Sequence, residues 1–196
     1  MRSMIPVDAL RDQPVLLGRG VRLVPLDADN ADPFIASLLD MDPEVRRMTG
    51  THKRFTEEEL RAFAASRPDR HDRADWLIHD RDTGAYVGEC ALIDLDPDNA
   101  EMHYRISLNG LAVTGKGYGT AATDAVLEYA FETVGLHRVA LEVFDFNTRA
   151  RRSYEKSGFV REGVWRGHLR WDGAWHDAIL MSILDDEYRA SRAARG

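Results

Sequence analysis

A glycine-rich turn that runs directly into an amphipathic helical pattern constrains this chain more than any other feature. Gly115, Gly117 and Gly119 occupy alternate positions of one five-residue stretch. Glycines have no Cβ, so the backbone can approach an anion closely. The free N–H groups and the positive dipole end of the following helix favour negative charge there. The stretch predicts a pyrophosphate-binding loop, and a glycine-rich connector without a ligand is the other explanation.

The size and charge of the chain limit its organisation and its partners. We expect an extended N-terminal segment (1–17), a single domain (18–184) and a polar C-terminal tail (185–196) in these 196 residues. A net charge of −7 argues against nucleic acid and anionic membranes, which both require a basic face, and suits a cationic substrate.

The histidines and the single cysteine argue against a metal centre and a disulfide framework. The seven histidines lack the spacing of metal ligands, so we expect no metal. Cys90, the single cysteine, predicts a buried thiol in a reducing compartment. Without a signal-peptide or membrane-span pattern near the N-terminus, the cytoplasm is the expected location.

Hydrophobic periodicity and turn residues predict an α/β (α+β) fold. The three strands before the glycine loop are expected to pair antiparallel, and the strand after the crossover helix to run parallel to the strand before it. The predicted elements are a strand at 21–26, two helices beginning near 30 and 57, three strands between 76 and 108, a helix ending at Gly135, a strand at 138–144, a helix from Asn147 to Gly158, and a hairpin over 159–184.

A P-loop is a rival explanation of the glycine loop. Residues 110–116 match the pattern GxxxxGK. The next residue is Gly117, so the hydroxyl that binds Mg²⁺ in such loops is missing. A nucleotide-binding protein is therefore the weaker hypothesis.

The order strand, glycine loop, helix and strand is followed by Asn147, Tyr154 and the pair Gly158-Phe159. This pattern resembles the GNAT superfamily of acetyl-CoA-dependent N-acetyltransferases, and within it the branch of ribosomal-protein-alanine and spermidine N-acetyltransferases. The resemblance extends over roughly residues 20 to 184 in element order. It implies a mixed, mostly antiparallel, twisted sheet flanked by helices and splayed at the acetyl-CoA site.

The resemblance also assigns residues to acetyl-CoA. The family's loop, Arg/Gln-x-x-Gly-x-Gly/Ala, falls on residues 114–119, where Thr114 departs from the usual first residue. Lys116, a threonine hydroxyl and the loop amides are expected to compensate. The implied binding residues are Ser107, Leu108, Asn109, Thr114, Gly115, Lys116, Gly117, Tyr118, Gly119, Thr120, Asn147, Arg152, Tyr154 and Lys156.

The implied chemistry needs a base, because an alkyl amine with a pKa near ~10.4 is protonated at neutral pH. Glu101 is the first candidate, His103 lies two residues on along the same strand face, and Glu89 is a third candidate. In the family a backbone amide polarises the thioester, here that of Leu108, and Tyr154 protonates the leaving thiolate. Helix capping and core packing are the non-catalytic explanations of Asn147 and Tyr154.

Three questions stay open at this level. The resemblance implies a primary amine as the acceptor, either a small amine such as a polyamine or a protein N-terminus, and a homodimer is left open. A non-catalytic acyl-CoA-binding regulator is the other function that the same residues allow.

Overall fold

The computed structural model of the protein describes residues 5–6 and 9–193. In this part of the chain eight strands form one mostly antiparallel sheet, in the order β1-β2-β3-β4-β5-β6-β8-β7, and the α/β prediction is confirmed. The strands are β1 (Leu16–Gly18), β2 (Val21–Pro25), β3 (Ala74–Asp80), β4 (Tyr86–Asp96), β5 (Glu101–Leu108), β6 (Arg138–Phe144), β7 (Val160–Trp171) and β8 (Ala174–Leu184). The helices are α1 (Asp32–Leu39), α2 (Pro43–Thr49), α3 (Glu57–Ala65), α4 (Tyr118–Glu128, continued by a π-helical segment, Tyr129–Val134), α5 (Thr148–Ser157) and α6 (Asp185–Ala193).

The two central strands separate along their length. β5 and β6 run parallel and pair only over Glu101–His103 and Arg138–Ala140. The parallel pairing follows from the helical crossover through α4, as predicted. Beyond this short ladder the facing edges of β5 and β6 are open, so the sheet offers backbone N–H and C=O groups along a gap in its middle.

Each face of the sheet has its own hydrophobic core. Successive side chains of a strand point to opposite faces. On β3, Trp76 and Ile78 pack into the larger core with α4, whereas Leu77 packs into a smaller core with α1 and α3. Residues that pair with Leu77 therefore face α1 and α3.

Three predicted helix boundaries are confirmed. Thr56 and Glu59 form a reciprocal capping box at the start of α3. Asn147 caps α5 by accepting from the Ala150 N–H at 3.2 Å. Gly135 ends the π-helical continuation of α4 with a left-handed φ of 81°, a conformation that glycine adopts without strain.

The prediction of two helices before the main sheet was wrong, because α2 lies between them. Asp42 caps α2 by accepting from the N–H groups of Glu44 and Val45, Pro43 is its first residue, and Gly50 ends it. Proline at the first position and glycine after the last one are a readable helix signature. The sequence therefore carried the signal for α2, although the helix is only seven residues long.

The ends of the chain contribute to the larger core. Leu10 is fully buried, and β1 adds a short antiparallel strand beside β2. At the other end, Tyr188 of α6 is buried against the Phe131 ring, with the ring centroids 4.9 Å apart. Positions 1–4, 7–8 and 194–196 of the predicted N-terminal segment and C-terminal tail lie outside the described residues.

Candidate active site

The opening between β5 and β6 presents one backbone amide in particular. The Asn109 N–H donates to the Val87 carbonyl on β4 at 2.8 Å. Because the N–H groups of a strand alternate between its two edges, the Leu108 N–H points the other way, toward β6. The β5–β6 ladder has already ended at this level. The Leu108 N–H is therefore directed into the gap.

The glycine loop ends at the first turn of α4. Gly115 and Gly117 have left-handed φ angles of 78° and 90°, and Tyr118 is the first residue of the helix. Among the described residues, no side chain caps this N-terminus. A Cβ added to either glycine would meet no atom within 4 Å, so the space above the loop is open. Free helix N–H groups under open space fit a phosphate group.

Helix α5 lies against this loop and the end of β5. The hydroxyl oxygens of Thr120 and Ser153 are 2.7 Å apart. A Cβ built on Gly119 would lie 3.9 Å from Leu108 Cδ1 and 4.0 Å from Ser153 Oγ. The end of β5 and α5 thus meet the first turn of α4 at Gly119, where a Cβ would be in van der Waals contact with both.

Arg149 reaches the position where the loop departs from the family's pattern. Its Nη1 donates to the Thr114 hydroxyl oxygen, and that hydroxyl donates in turn to the Leu111 carbonyl at 2.8 Å. A guanidinium from α5 therefore stands beside Thr114. Sequence reasoning missed this residue; its one signal was the basic run of α5.

The other predicted binding residues around the loop divide by their side-chain contacts. Lys116, Arg152 and Lys156 are exposed, so their charges add to a positive potential at this end of the molecule. Tyr118 instead directs its hydroxyl to Asp80 Oδ2 at 2.5 Å. Only the backbone of Tyr118 is therefore available to the loop.

Tyr154 and Asn147 both have structural contacts of their own. Tyr154 is buried, its ring meets that of Phe159 edge-on at 5.8 Å, and burial raises the pKa of its hydroxyl above the usual range. The phenol therefore stays protonated across the physiological pH range. Asn147, besides capping α5, donates from Nδ2 to the Met48 carbonyl at 3.4 Å and ties α5 to α2.

Glu101 is not brought to the open end of the gap. Its Oε1 accepts from Arg138 Nε at 3.0 Å, and Arg138 also pairs with Glu162. Glu101 precedes Leu108 by seven residues, which is about 23 Å along a strand. His103 is exposed and sits at the last paired position of the β5–β6 ladder. The expected site carboxylate is therefore part of an ion-pair network at the closed end.

Glu89, the third candidate, lies at the open end. It pairs with Ser107 on β5 and with Leu77 on β3, so it faces α1 and α3. The side chain is half-buried, and Tyr86 donates its hydroxyl to Glu89 Oε2 at 2.7 Å. Burial raises the pKa of Glu89 to about 7, although Tyr86, Arg105 and Ser107 act to lower it. A carboxyl with this pKa can both accept and release a proton at neutral pH.

A cleft opens beside Glu89, between α1 and the end of β5. Its volume is about 390 Å³. Among the described residues that line it, Asp40 is the one with a charged side chain. The lining residues are Pro33, Ala36, Ser37, Asp40, Tyr86 and Asn109.

Three further features concern metal sites, membrane-spanning helices and the cysteine thiol. Among residues 5–6 and 9–193, no group of three or more His, Cys, Asp or Glu side chains is arranged to hold a metal ion. The helices found in those same residues are all too short or too polar to cross a membrane. Cys90 is buried, and burial raises the pKa of its thiol well above the usual range, so it is a poor nucleophile.

Comparison with known proteins gives consistent matches. The acetyltransferase (GNAT) domain family matches residues 21–160. Spermidine N(1)-acetyltransferase of Escherichia coli (strain K12) is 27% identical over 184 residues, which cover 90% of this chain and 92% of the enzyme. YdaF of Bacillus subtilis, provisionally named a ribosomal N-acetyltransferase, is 35% identical over 118 residues, 59% of this chain and 61% of YdaF.

The fold also matches a solved structure. The spermidine N-acetyltransferase of Vibrio cholerae, determined in complex with CoA and spermine, superposes with a TM-score of 0.78 at 21% identity. The superposition covers 87% of this chain and 98% of that one.

Proposed function

This chain belongs to the GNAT family of acetyl-CoA-dependent N-acetyltransferases, and from that premise we propose that it transfers an acetyl group directly to a primary amine within a ternary complex. The observation that carries the proposal is a convergence. The Leu108 N–H, the glycine loop and α5 meet at the β5–β6 opening, and Glu89 lies one strand away. When bound, acetyl-CoA supplies an activated acetyl group as a thioester.

The residues proposed to hold acetyl-CoA lie along the gap and over the loop. The amides from Gly117 to Thr120 would hold the pyrophosphate, with Lys116 and Arg149 beside them. Ser107 to Asn109 and Asn147 would line the pantetheine arm, and Arg152 and Lys156 would face the nucleotide end. Arg149 joins the set because it stands beside Thr114, where the family usually has an arginine or glutamine.

We assign the base to Glu89 instead of Glu101. Glu89 is half-buried beside the cleft with a pKa near 7, whereas Glu101 is ion-paired at the far end of β5. Glu89 would take the proton of the acceptor amine at a carboxylate oxygen, directly or through one water. His103 is a weaker candidate because it is exposed at the closed end of the gap.

Two groups would serve the acyl carbon and the leaving group. The Leu108 N–H points into the gap, where it can donate to an oxygen that gains negative charge. Tyr154 keeps its proton because its pKa is raised by burial, so its hydroxyl can donate to a thiolate sulfur. Cys90 is buried away from this chemistry, and no acyl-cysteine is needed.

We propose a small cationic amine, such as a polyamine, as the acceptor, with a protein N-terminus as second choice. The cleft of about 390 Å³ suits a small molecule, and Asp40 gives it a negative charge. The relative named for spermidine aligns over 92% of its length, against 61% for the one named for ribosomal substrates. A cytoplasmic location and a homodimer remain predictions; ultracentrifugation of the purified protein tests the second.

The test is an acceptor screen that measures release of free CoA thiol. Polyamines, other small amines, peptides with a free N-terminus and matched alcohols are each mixed with acetyl-CoA and the protein. Turnover with amines, and initial-rate lines that intersect when both substrates vary, would support direct transfer in a ternary complex. Acetyl-CoA binding without turnover would favour the non-catalytic regulator. Binding of ATP and not of acetyl-CoA would favour a nucleotide-binding protein. Turnover of alcohols alone would exclude N-acetyltransferase activity.

A further inference from the structure

A β-bulge brings Tyr86 onto the same face of the sheet as Glu89. The two residues are three positions apart on β4, so regular alternation would put them on opposite faces. The β3–β4 register shifts at this point: Ile78 pairs with Gly88, but His79 pairs with Tyr86, which leaves Val87 as the extra residue. A bulge re-aims side chains in this way. The Tyr86 hydroxyl can therefore donate to Glu89 Oε2 at 2.7 Å.

The other side of Tyr86 belongs to the wall of the cleft. Tyr86 is half-buried, and both burial and the adjacent Glu89 carboxylate raise the pKa of its hydroxyl, whereas the nearby Ser37 hydroxyl acts to lower it. The Ser37 hydroxyl also donates to Asn109 Oδ1 at 3.1 Å. Ser37, Tyr86 and Asn109 all line the cleft, so Ser37 lies between Tyr86 on β4 and the residue that follows β5.

The remaining groups around Glu89 are few. Arg105 and Ser107 act on its carboxylate from β5, and both favour the ionised form. From β4, the neighbouring Cys90 thiol has a pKa that is raised by burial and, to a lesser extent, by Glu89. From α1, Ser37 and Asp40 line the cleft. Among the described residues, Tyr86 both donates to the carboxylate and lines the cleft.

We propose that Tyr86 is a positioning residue, which holds the Glu89 carboxylate in one orientation toward the acceptor cleft and is itself oriented by Ser37. The inference rests on the proposed role of Glu89 as base. It extends that role, because an acceptor that displaces Ser37 or Asn109 in the cleft would change the hydrogen bonding of the base. Binding of the acceptor would then be coupled to the orientation and protonation of Glu89 through the Tyr86 hydroxyl.

The decisive variant is Tyr86→Phe, which removes the hydroxyl and keeps the ring. Loss of a hydrogen bond to the charged form should raise the pKa of Glu89 by about one pH unit. The first readout is a ¹³C NMR titration of the glutamate carboxyls without substrates, in which Glu89→Gln identifies the Glu89 signal. The second is the pH profile of kcat/KM, whose acid limb should move to higher pH by the same amount, so that the rate at pH 7 falls about fivefold and recovers near pH 9.

Tyr188→Phe is the matched control, because Tyr188 is another tyrosine whose hydroxyl has a side-chain partner, Arg192, at 2.9 Å. It should leave the Glu89 titration and the pH profile unchanged. Ser37→Ala should move both readouts in the same direction as Tyr86→Phe, but less. An unchanged Glu89 titration in a folded Tyr86→Phe protein would overturn the proposal. A shifted titration with full activity in Glu89→Gln would leave Tyr86 in place and refute Glu89 as the base.

Discussion

Two carboxylates on the same face of the sheet lie at opposite ends of β5, Glu101 on β5 itself and Glu89 on the neighbouring strand β4, and their surroundings differ. At the closed end, Glu101 lies beside a continuous ladder and is neutralised by Arg138. At the open end, Glu89 accepts a hydrogen bond from Tyr86, which lines the cleft, and burial raises the pKa of Glu89 to about 7. The difference teaches that pairing across strands, and not residue type, decides whether a carboxylate stabilises the fold or remains available to carry a proton.

Gly117→Val should have the largest effect at the open end, the loss of measurable acetyl-CoA binding. Gly117 has a φ of 90°, and a branched Cβ would also occupy the space that we assign to the pyrophosphate. Titration calorimetry measures the affinity. Gly173→Val is the control, because Gly173 has a φ of 82° and open space at the far hairpin turn. Unchanged affinity in a folded Gly117→Val protein would refute the loop assignment.

Glu89→Gln should lower kcat/KM by about 10²-fold or more, within the range for loss of a general base. The wild-type kcat/KM should rise with pH through about 7, since the ionised Glu89 is the active form and its pKa is about 7. That rise should be absent in Glu89→Gln. A pH profile that keeps its acid limb in the variant would assign the proton transfer to another group.

Tyr154→Phe should reduce kcat by about 10²-fold, with little change in acetyl-CoA affinity, because only the hydroxyl is removed. Tyr129→Phe is the matched control: it removes a hydroxyl from another buried tyrosine of the same core. Measurement of kcat at saturating substrate concentrations for both variants tells whether Tyr154 acts as the general acid or only packs in the core. Equal kcat values in the two variants would leave Tyr154 with a structural role alone.

Glu101→Gln should have the smallest effect, and it sharpens the comparison directly. The half-buried ion pair with Arg138 contributes about 0.5–1 kcal/mol, so the melting temperature should fall by about 2 °C. The kcat/KM value should stay within about twofold of wild type. A thermal melt and the acceptor assay are sufficient. A large loss of activity with an unchanged melting temperature would instead indicate that Glu101 acts in catalysis.

Much of the fold could be predicted from local signals. The capping box of Thr56 and Glu59, the cap at Asn147 and the end at Gly135 are set by residues within four positions of one another. The parallel pairing of β5 and β6 follows from the crossover. The missed helix α2 was also readable from Pro43 and Gly50. These features depend on neighbouring residues, which a sequence displays directly.

The choice between carboxylates could not be predicted in this way. Period-two alternation puts Glu101 and His103 on one face of β5, but it does not say where β6 leaves the ladder. The bulge at Val87 brings Tyr86 to Glu89, and it exists only in the register of β4 against β3. The contact of Arg149 with Thr114 likewise joins residues 35 positions apart, so it depends on how α5 packs against the loop.

The sequence by itself determined the family, the order of the elements and the glycine loop before α4, because these follow from backbone preferences and short-range contacts. Only the tertiary structure decided that the gap opens beyond His103, that Glu89 lies one strand away from its open end and that Arg138 forms an ion pair with Glu101. Strand register and the separation of two strands are set by contacts between residues distant in the chain. Burial, which sets the pKa of Glu89, exists only once those contacts have formed.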